Sequence, residues 1–155
     1  MKLPYHIPKD LLSIFSKTKL NVQPGEYLIV RLPLKYGVML RELSKFVREP
    51  FFNYTVEPQE ITLVVHERDW SNIGRDFIET QIEHGYNIIT MDVTVDLNVI
   101  GYLAVISRLL ADVGVPIMVV SGHRTDHILI KKYDLQKAIF VLQDLINSCK
   151  NIVIV

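Results

Sequence analysis

"YNIITMDVTVDLNVIGYLAVISRLLADVGVPIMVVSGHRTDHILIK", from Tyr86 to Lys131, decides the fold class of this chain. It opens with Ile89, Met91, Val93 and Val95 alternating against Thr90, Asp92 and Thr94, the period of two that marks a half-buried strand. Leu103, Ile106, Leu110 and Val113 then recur at helical spacing, and Gly114 supplies a C-terminal stop. "PIMVVS" reads as a short buried strand, and "HILIK" as a second strand after a polar turn.

Working outward, "DLQKAIFVLQDLI" predicts a helix with Asp134 as its cap and Leu135, Ala138, Ile139, Leu142 and Ile146 as its apolar stripe. "NIVIV" at the end reads as a last strand. The predicted order is βαββαβ, the ferredoxin-like split unit.

The front half tells a weaker version of that order, βαββα, sharing or lending its final strand. "EYLIVRLP" predicts a strand, and "YGVMLRELSKFVRE" a helix with Met39, Leu43, Phe46 and Val47 facing inward. "FFNYTVE" and "EITLVVHE" read as a hairpin around Pro58–Gln59, and "SNIGRDFIETQIEHG" as a marginal helix carrying Gly74. Residues 1–24 are read as an extension in which "KDLLSIFSK" is an amphipathic helix packing through Leu11, Leu12, Ile14 and Phe15. Residues 25–84 then form the first unit and 85–155 the second. The fold class expected is α+β: two ferredoxin-like units in tandem, with antiparallel sheets and helices on one face. Arg41, Lys45 and Arg48 line one side of the first unit's helix, where a solvated face explains them.

Composition bounds the function. The chain has 155 residues, 49% of them hydrophobic, enough to bury a core. Its 17 basic and 17 acidic residues cancel, which argues against nucleic acid as partner. The apolar runs are too short for a membrane helix, and "MKLPYHIPKD" lacks the apolar region of a signal peptide, so a cytoplasmic protein is expected. Cys149 is the only cysteine, which excludes an internal disulfide and reads as an inert helix residue.

Chemistry-bearing residues gather at two places. At "VDLNVIGYLAV", Gly101 would let a ligand approach the backbone, and the N–H groups of Val99, Ile100 and Gly101 at a helix start suit a carboxylate. Asn98 is a candidate N-cap, and Asp96 precedes the turn. The alternative is that Gly101 only permits close helix–sheet packing while Asn98 and Asp96 cap. At "SGHRTD", His123, Asp126 and His127 carry metal-ligating groups, but the histidines flank a turn and a third firm ligand is missing, so no metal is assigned. Ser121 and His123 are too close in sequence to act as a triad pair. Thr125 has the chemistry of a local turn former, and Asp126 that of a partner for an ammonium group.

"DLNVIGYLAVISRLLADVGVPIMVVSGHRTDHILI" resembles the small ACT-domain proteins related to the CASTOR arginine sensors and to aspartate kinase regulatory domains. The residues that carry the likeness are Asp96, the helix-opening Gly101, "LLADVGVPI", Ser121, Thr125–Asp126 and "ILI"; "YLIVRLP" and "FFNYTVEPQEITLVVHE" extend it over roughly residues 25–147. The resemblance implies tandem ACT units, dimerised, with an amino acid bound between units to regulate a target enzyme or another regulator. Carried over, Gly101 with the backbone of Val99 and Ile100 would receive the α-carboxylate. Ser121 and Thr125 would line the pocket, and Asp126 would meet a cationic group. The family usually has Thr-Tyr after the serine, whereas this chain has Gly122–His123, which removes a hydroxyl and an aromatic wall. A His123 facing the ligand would make binding pH-sensitive near neutrality.

Three functions are therefore weighed. A non-catalytic regulatory module binding an amino acid is the expected one, with no cofactor. The alternative is a protein-interaction or oligomerisation module whose ligand site has decayed, favoured by Gly122–His123 and by the apolar N-terminal segment. An enzyme acting on a phosphate ester through Arg124 with His123 or His127 would need a phosphate-cradling loop that the sequence does not contain.

Overall fold

The computed structural model describes residues 7–153. Along the chain run α1 (Lys9–Lys17), β1 (Lys19–Val22), β2 (Tyr27–Pro33), α2 (Gly37–Leu43), β3 (Asn53–Val56), β4 (Glu60–His66), α3 (Glu67–Ile73), β5 (Gln81–Asp92), α4 (Tyr102–Asp112), β6 (Met118–Ser121), β7 (Asp126–Lys131) and α5 (Leu135–Val153). The chain divides into two compact units: Gln23–Asn87, and the described residues up to Val22 together with those from Ile88 onward. Antiparallel α+β organisation holds in both, and the division falls inside β5.

In the unit from Gln23 to Asn87 the strand order is β3–β4–β2–β5, each neighbouring pair antiparallel. Alternate residues Leu28, Val30 and Leu32 of β2 and Ile61, Leu63 and Val65 of β4 point to one face. There they are buried with Leu40 of α2 and Ile73 of α3. The pairing of β2 with β5 slips by one residue between Tyr27 and Ile29, a bulge on β5 that includes Gly85 at φ +75°.

The other unit has the order β6–β7–β5–β1. Its helix-covered face is built from Ile89 and Met91 of β5 and Ile128 and Ile130 of β7. Leu11 and Phe15 of α1, Ile106 and Leu110 of α4, and Leu142 and Leu145 of α5 complete that core. Each fully buried aliphatic side chain of this kind contributes roughly 1.5–3 kcal/mol.

Several expectations are corrected here. The segment read as an N-terminal extension belongs to the second unit: α1 buries Leu11 and Phe15 in its core, and β1 pairs with β5 from Lys19↔Asp92 to Val22↔Ile89. β1 thus takes the fourth-strand place that "NIVIV" was expected to fill. Asn151–Val153 instead continue α5 as its exposed last residues, beyond a buried stripe that ends at Cys149; Ile154 and Val155 lie outside the described residues. The helix expected at "SNIGRDFIETQIEHG" stops at Ile73, and Gln81 onward is already strand. Helix α2 ends at Leu43, and Phe46 is 68% exposed where it was expected to face inward. Asp134 sits in a short turn before α5, paired to Lys137 at 2.9 Å. Among the described residues no helix is long and apolar enough to cross a membrane.

Candidate functional site

The loop between β5 and α4 is shaped by its own polar groups. Asp96 Oδ1 accepts from the Asn98 backbone N–H at 2.8 Å and from Asn98 Nδ2 at 2.9 Å, an Asx-type turn. The backbone bond first and the side-chain bond second hold the Asp96 carboxyl below the usual carboxylate range. The Val99 N–H donates to the Asp96 carbonyl at 3.0 Å. Gly101 follows at φ +90°, in the left-handed region that costs an L side chain strain, and α4 begins.

That geometry moves the open donors along the chain from where they were expected. Val99 spends its N–H within the turn, so it does not offer it to a ligand. The first bond of α4 runs from Val105 N–H to the Gly101 carbonyl at 3.1 Å, and no side chain caps the helix. The N–H groups of Gly101, Tyr102, Leu103 and Ala104 are therefore the four without intrahelical partners. Asn98 is corrected from N-cap to turn former, its amide committed to Asp96.

Opposite this loop is the turn joining β6 to β7. Ser121 pairs with Asp126, and the Gly122 N–H donates to the Thr125 carbonyl at 2.9 Å, leaving His123 and Arg124 at the tip. The Val95 N–H donates to the Arg124 carbonyl at 3.2 Å and ties the two loops together. Between them lies a cleft of about 300 Å³. Of the expected site residues it is lined by Asp96, Val99, Gly101, Ser121, His123 and Asp126. Tyr102, Leu103, Ala104 and Arg124 also line it.

The remaining expected residues fall elsewhere. Asn98 borders a neighbouring cleft of about 400 Å³ that shares Asp96 and Arg124. Ile100 is 90% exposed and does not line the main cleft. Thr125 does not line it either; its hydroxyl is 3.5 Å from His127 Nε2. His127 is held on its other side by Thr90, 2.9 Å from Nδ1. Burial lowers the His127 pKa, opposed by the charge of Asp126. Among the described residues no three histidine, cysteine, aspartate or glutamate side chains gather as a metal site.

Sequence reasoning missed Tyr102 as a cleft residue. It is 3% exposed, and burial pushes its phenol up to about 12, with the Thr18 contact opposing and the Asp126 charge adding. Its position directly after Gly101, in the first turn of the helix, was the available signal. The cleft presents four backbone donors, a carboxylate at Asp126 and a guanidinium at Arg124, complementary to a small molecule carrying both signs of charge.

Residues 81–144 match the ACT domain family. No curated protein matches the chain in sequence. Among solved structures, the fold is shared with a protein from Agobacterium tumefaciens at 22% identity, over 83% of this chain and 89% of that one, with a TM-score of 0.63. A Vibrio cholerae protein of unknown function aligns at 22% identity, over 89% of this chain and 97% of that one, with a TM-score of 0.63. The regulatory subunit of aspartate kinase from Thermus thermophilus aligns at 12% identity, over 83% and 97%, with a TM-score of 0.60. At such identities the likeness speaks for the fold alone. Residues 81–144 are thus similar to the ACT domain family, within a fold shared along most of the chain.

Proposed function

We propose that the chain is a non-catalytic regulatory module of two ACT units in tandem, and that its second unit holds a free amino acid in the cleft at the start of α4. The observation that carries this reading is the uncapped helix start. Four backbone donors at Gly101–Ala104 open on a cleft of about 300 Å³ that also presents Asp126. An α-carboxylate suits the donors and the positive end of α4, and an α-ammonium suits Asp126. A bound amino acid would act through a second copy of the chain or a target enzyme or regulator.

The test is a thermal-shift screen of the full chain against the twenty amino acids, each at a few millimolar. A ligand at about 100 times its dissociation constant adds roughly 2.7 kcal/mol, a rise of several degrees. A rise with one chemical class, lost in Asp126→Asn, is the expected result. A flat screen refutes the reading. A second reading, an interaction module, is favoured by one observation: Leu97 and Ile100, 75% and 90% exposed, stand in the cleft-forming loop. It expects no shift with any amino acid and a loss of partner capture in Leu97→Ser/Ile100→Ser.

A further inference from the structure

Tyr102 joins the cleft to a segment far from it in sequence. Its ring stacks on that of Phe15 in α1, centroids 4.8 Å apart and planes 20° from parallel. Its hydroxyl lies 3.4 Å from Thr18 Oγ1, at the C-cap of α1. The Thr18 hydroxyl donates to the Ile14 carbonyl at 3.0 Å, so toward Tyr102 the Thr18 oxygen accepts and the phenol donates. Both Phe15 and Thr18 are buried. Beside them Leu11 Cδ1 comes within 3.6 Å of the point where a Cβ on Gly101 would stand. β1 begins one residue after Thr18 and pairs with the end of β5 that leads into Asp96. The helix start that offers the backbone donors therefore rests on α1 at Gly101 and at Tyr102.

We infer that Phe15 and Thr18 are positioning residues of the cleft: acting through Tyr102, the N-terminal segment Lys9–Val22 sets the geometry of the α4 start, and its seating is coupled to occupancy of the cleft. The positioning half stands on the contacts alone. The coupling half rests on the amino-acid reading above. Any molecule that draws Tyr102 or the Gly101–Ala104 amides into place stabilises the seated α1, and by reciprocity the seated α1 raises affinity. The N-terminal segment then carries the signal of a filled cleft to whatever contacts it.

The experiment is hydrogen exchange on the full chain, unliganded, for the wild type, Phe15→Leu, Thr18→Val and Thr18→Ser. The reporters are the amides of Val99 and Val105, whose bonds to the Asp96 and Gly101 carbonyls close the loop and the helix start. Loss of an aromatic stack or of the hydroxyl contact should speed exchange there about three- to tenfold. Thr18→Ser keeps the hydroxyl and should keep the wild-type rate. A purely structural role would instead speed the amides of β7, away from α1, as much as those of Val99 and Val105. That uniform rise, or no change at Val99 and Val105, overturns the positioning role, and the Thr18 pair decides it should Phe15→Leu fail to fold. The second arm adds to the wild type whichever of the twenty amino acids raises its melting temperature. Slower exchange in α1 and β1, with affinity weakened in Thr18→Val and restored in Thr18→Ser, is the expected outcome. Binding that leaves α1 and β1 unchanged overturns the coupling. If no amino acid raises the melting temperature, the amino-acid reading and the coupling that rests on it both fall, while the unliganded comparison still decides positioning.

Discussion

The Val95 amide donates to the carbonyl of Arg124 at 3.2 Å, so the loop ahead of α4 and the turn between β6 and β7 are held as two sides of one cleft. The bond is backbone to backbone. It fixes where the donors of one wall stand relative to Asp126 on the other without using any side chain that a ligand would need. Side chains are then free to set specificity.

Gly101 is the position where that wall is most sensitive. At φ +90° a β-carbon is strained whatever the space, and here the space is ordinary, 3.6 Å to Leu11 Cδ1. Gly101→Ala should therefore cost about 1–2 kcal/mol from backbone conformation alone. A urea melt would read this as a lower midpoint with unchanged slope. Relief of the strain by rotating the peptide would displace the Tyr102 and Leu103 amides. Amino-acid affinity should then fall more than stability does, and a variant with wild-type affinity would show that the donors do not bind.

How far the fold could be read depended on where each element's stability comes from. α4, β6, β7 and α5 carry their own periodicity, so Ile106, Leu110, Ile128, Ile130 and Leu142 were legible as core. β1 was not, because Lys19, Asn21 and Val22 are exposed and the strand exists through its ladder with β5, an interaction between distant parts of the chain. "QIEHG" carries no strand alternation, and the bulge at Gly85 blurs what there is. In the cleft, Asp96, Gly101 and Asp126 were readable from residue type and place. The choice between Val99 and Leu103 as donor was not, since it turns on which carbonyl the Val99 amide finds.

The N-terminal helix should behave as core. Phe15 is fully buried against Tyr102, so Phe15→Ala removes a large side chain from a packed site and should destabilise the second unit by roughly 3–5 kcal/mol. An appended helix would cost within about 0.5 kcal/mol. Urea unfolding separates the two, since loss of core packing lowers the midpoint of Phe15→Ala well beyond what an appended helix would.

His127 gives the second unit a pH-dependent margin. Burial lowers its pKa below the ordinary 6.5, so the folded state prefers the neutral ring that Thr90 and Thr125 hold. Below that ordinary value the unfolded chain takes up the proton more readily, and stability present above it is lost as pH falls through the folded pKa. Melting temperature should drop as pH falls below the ordinary histidine value, and drop less in His127→Gln. Equal slopes in the two proteins would assign the acid sensitivity to other groups.

Cys149 should be chemically silent while the chain is folded. It is fully buried in the stripe of α5 that faces the core, and burial raises its thiol pKa. Both effects withhold the thiolate, the reactive form. Labelling by a thiol reagent at neutral pH should proceed only as fast as the second unit opens, and should become immediate in concentrated urea. Cys149→Ala should leave amino-acid binding intact while lowering stability modestly, because the small buried group that is lost does not line the cleft. Rapid labelling of the native chain would mean that the last turns of α5 open independently of the core. The prediction would then fail for a reason that exchange at Leu145 and Ile146 would reveal.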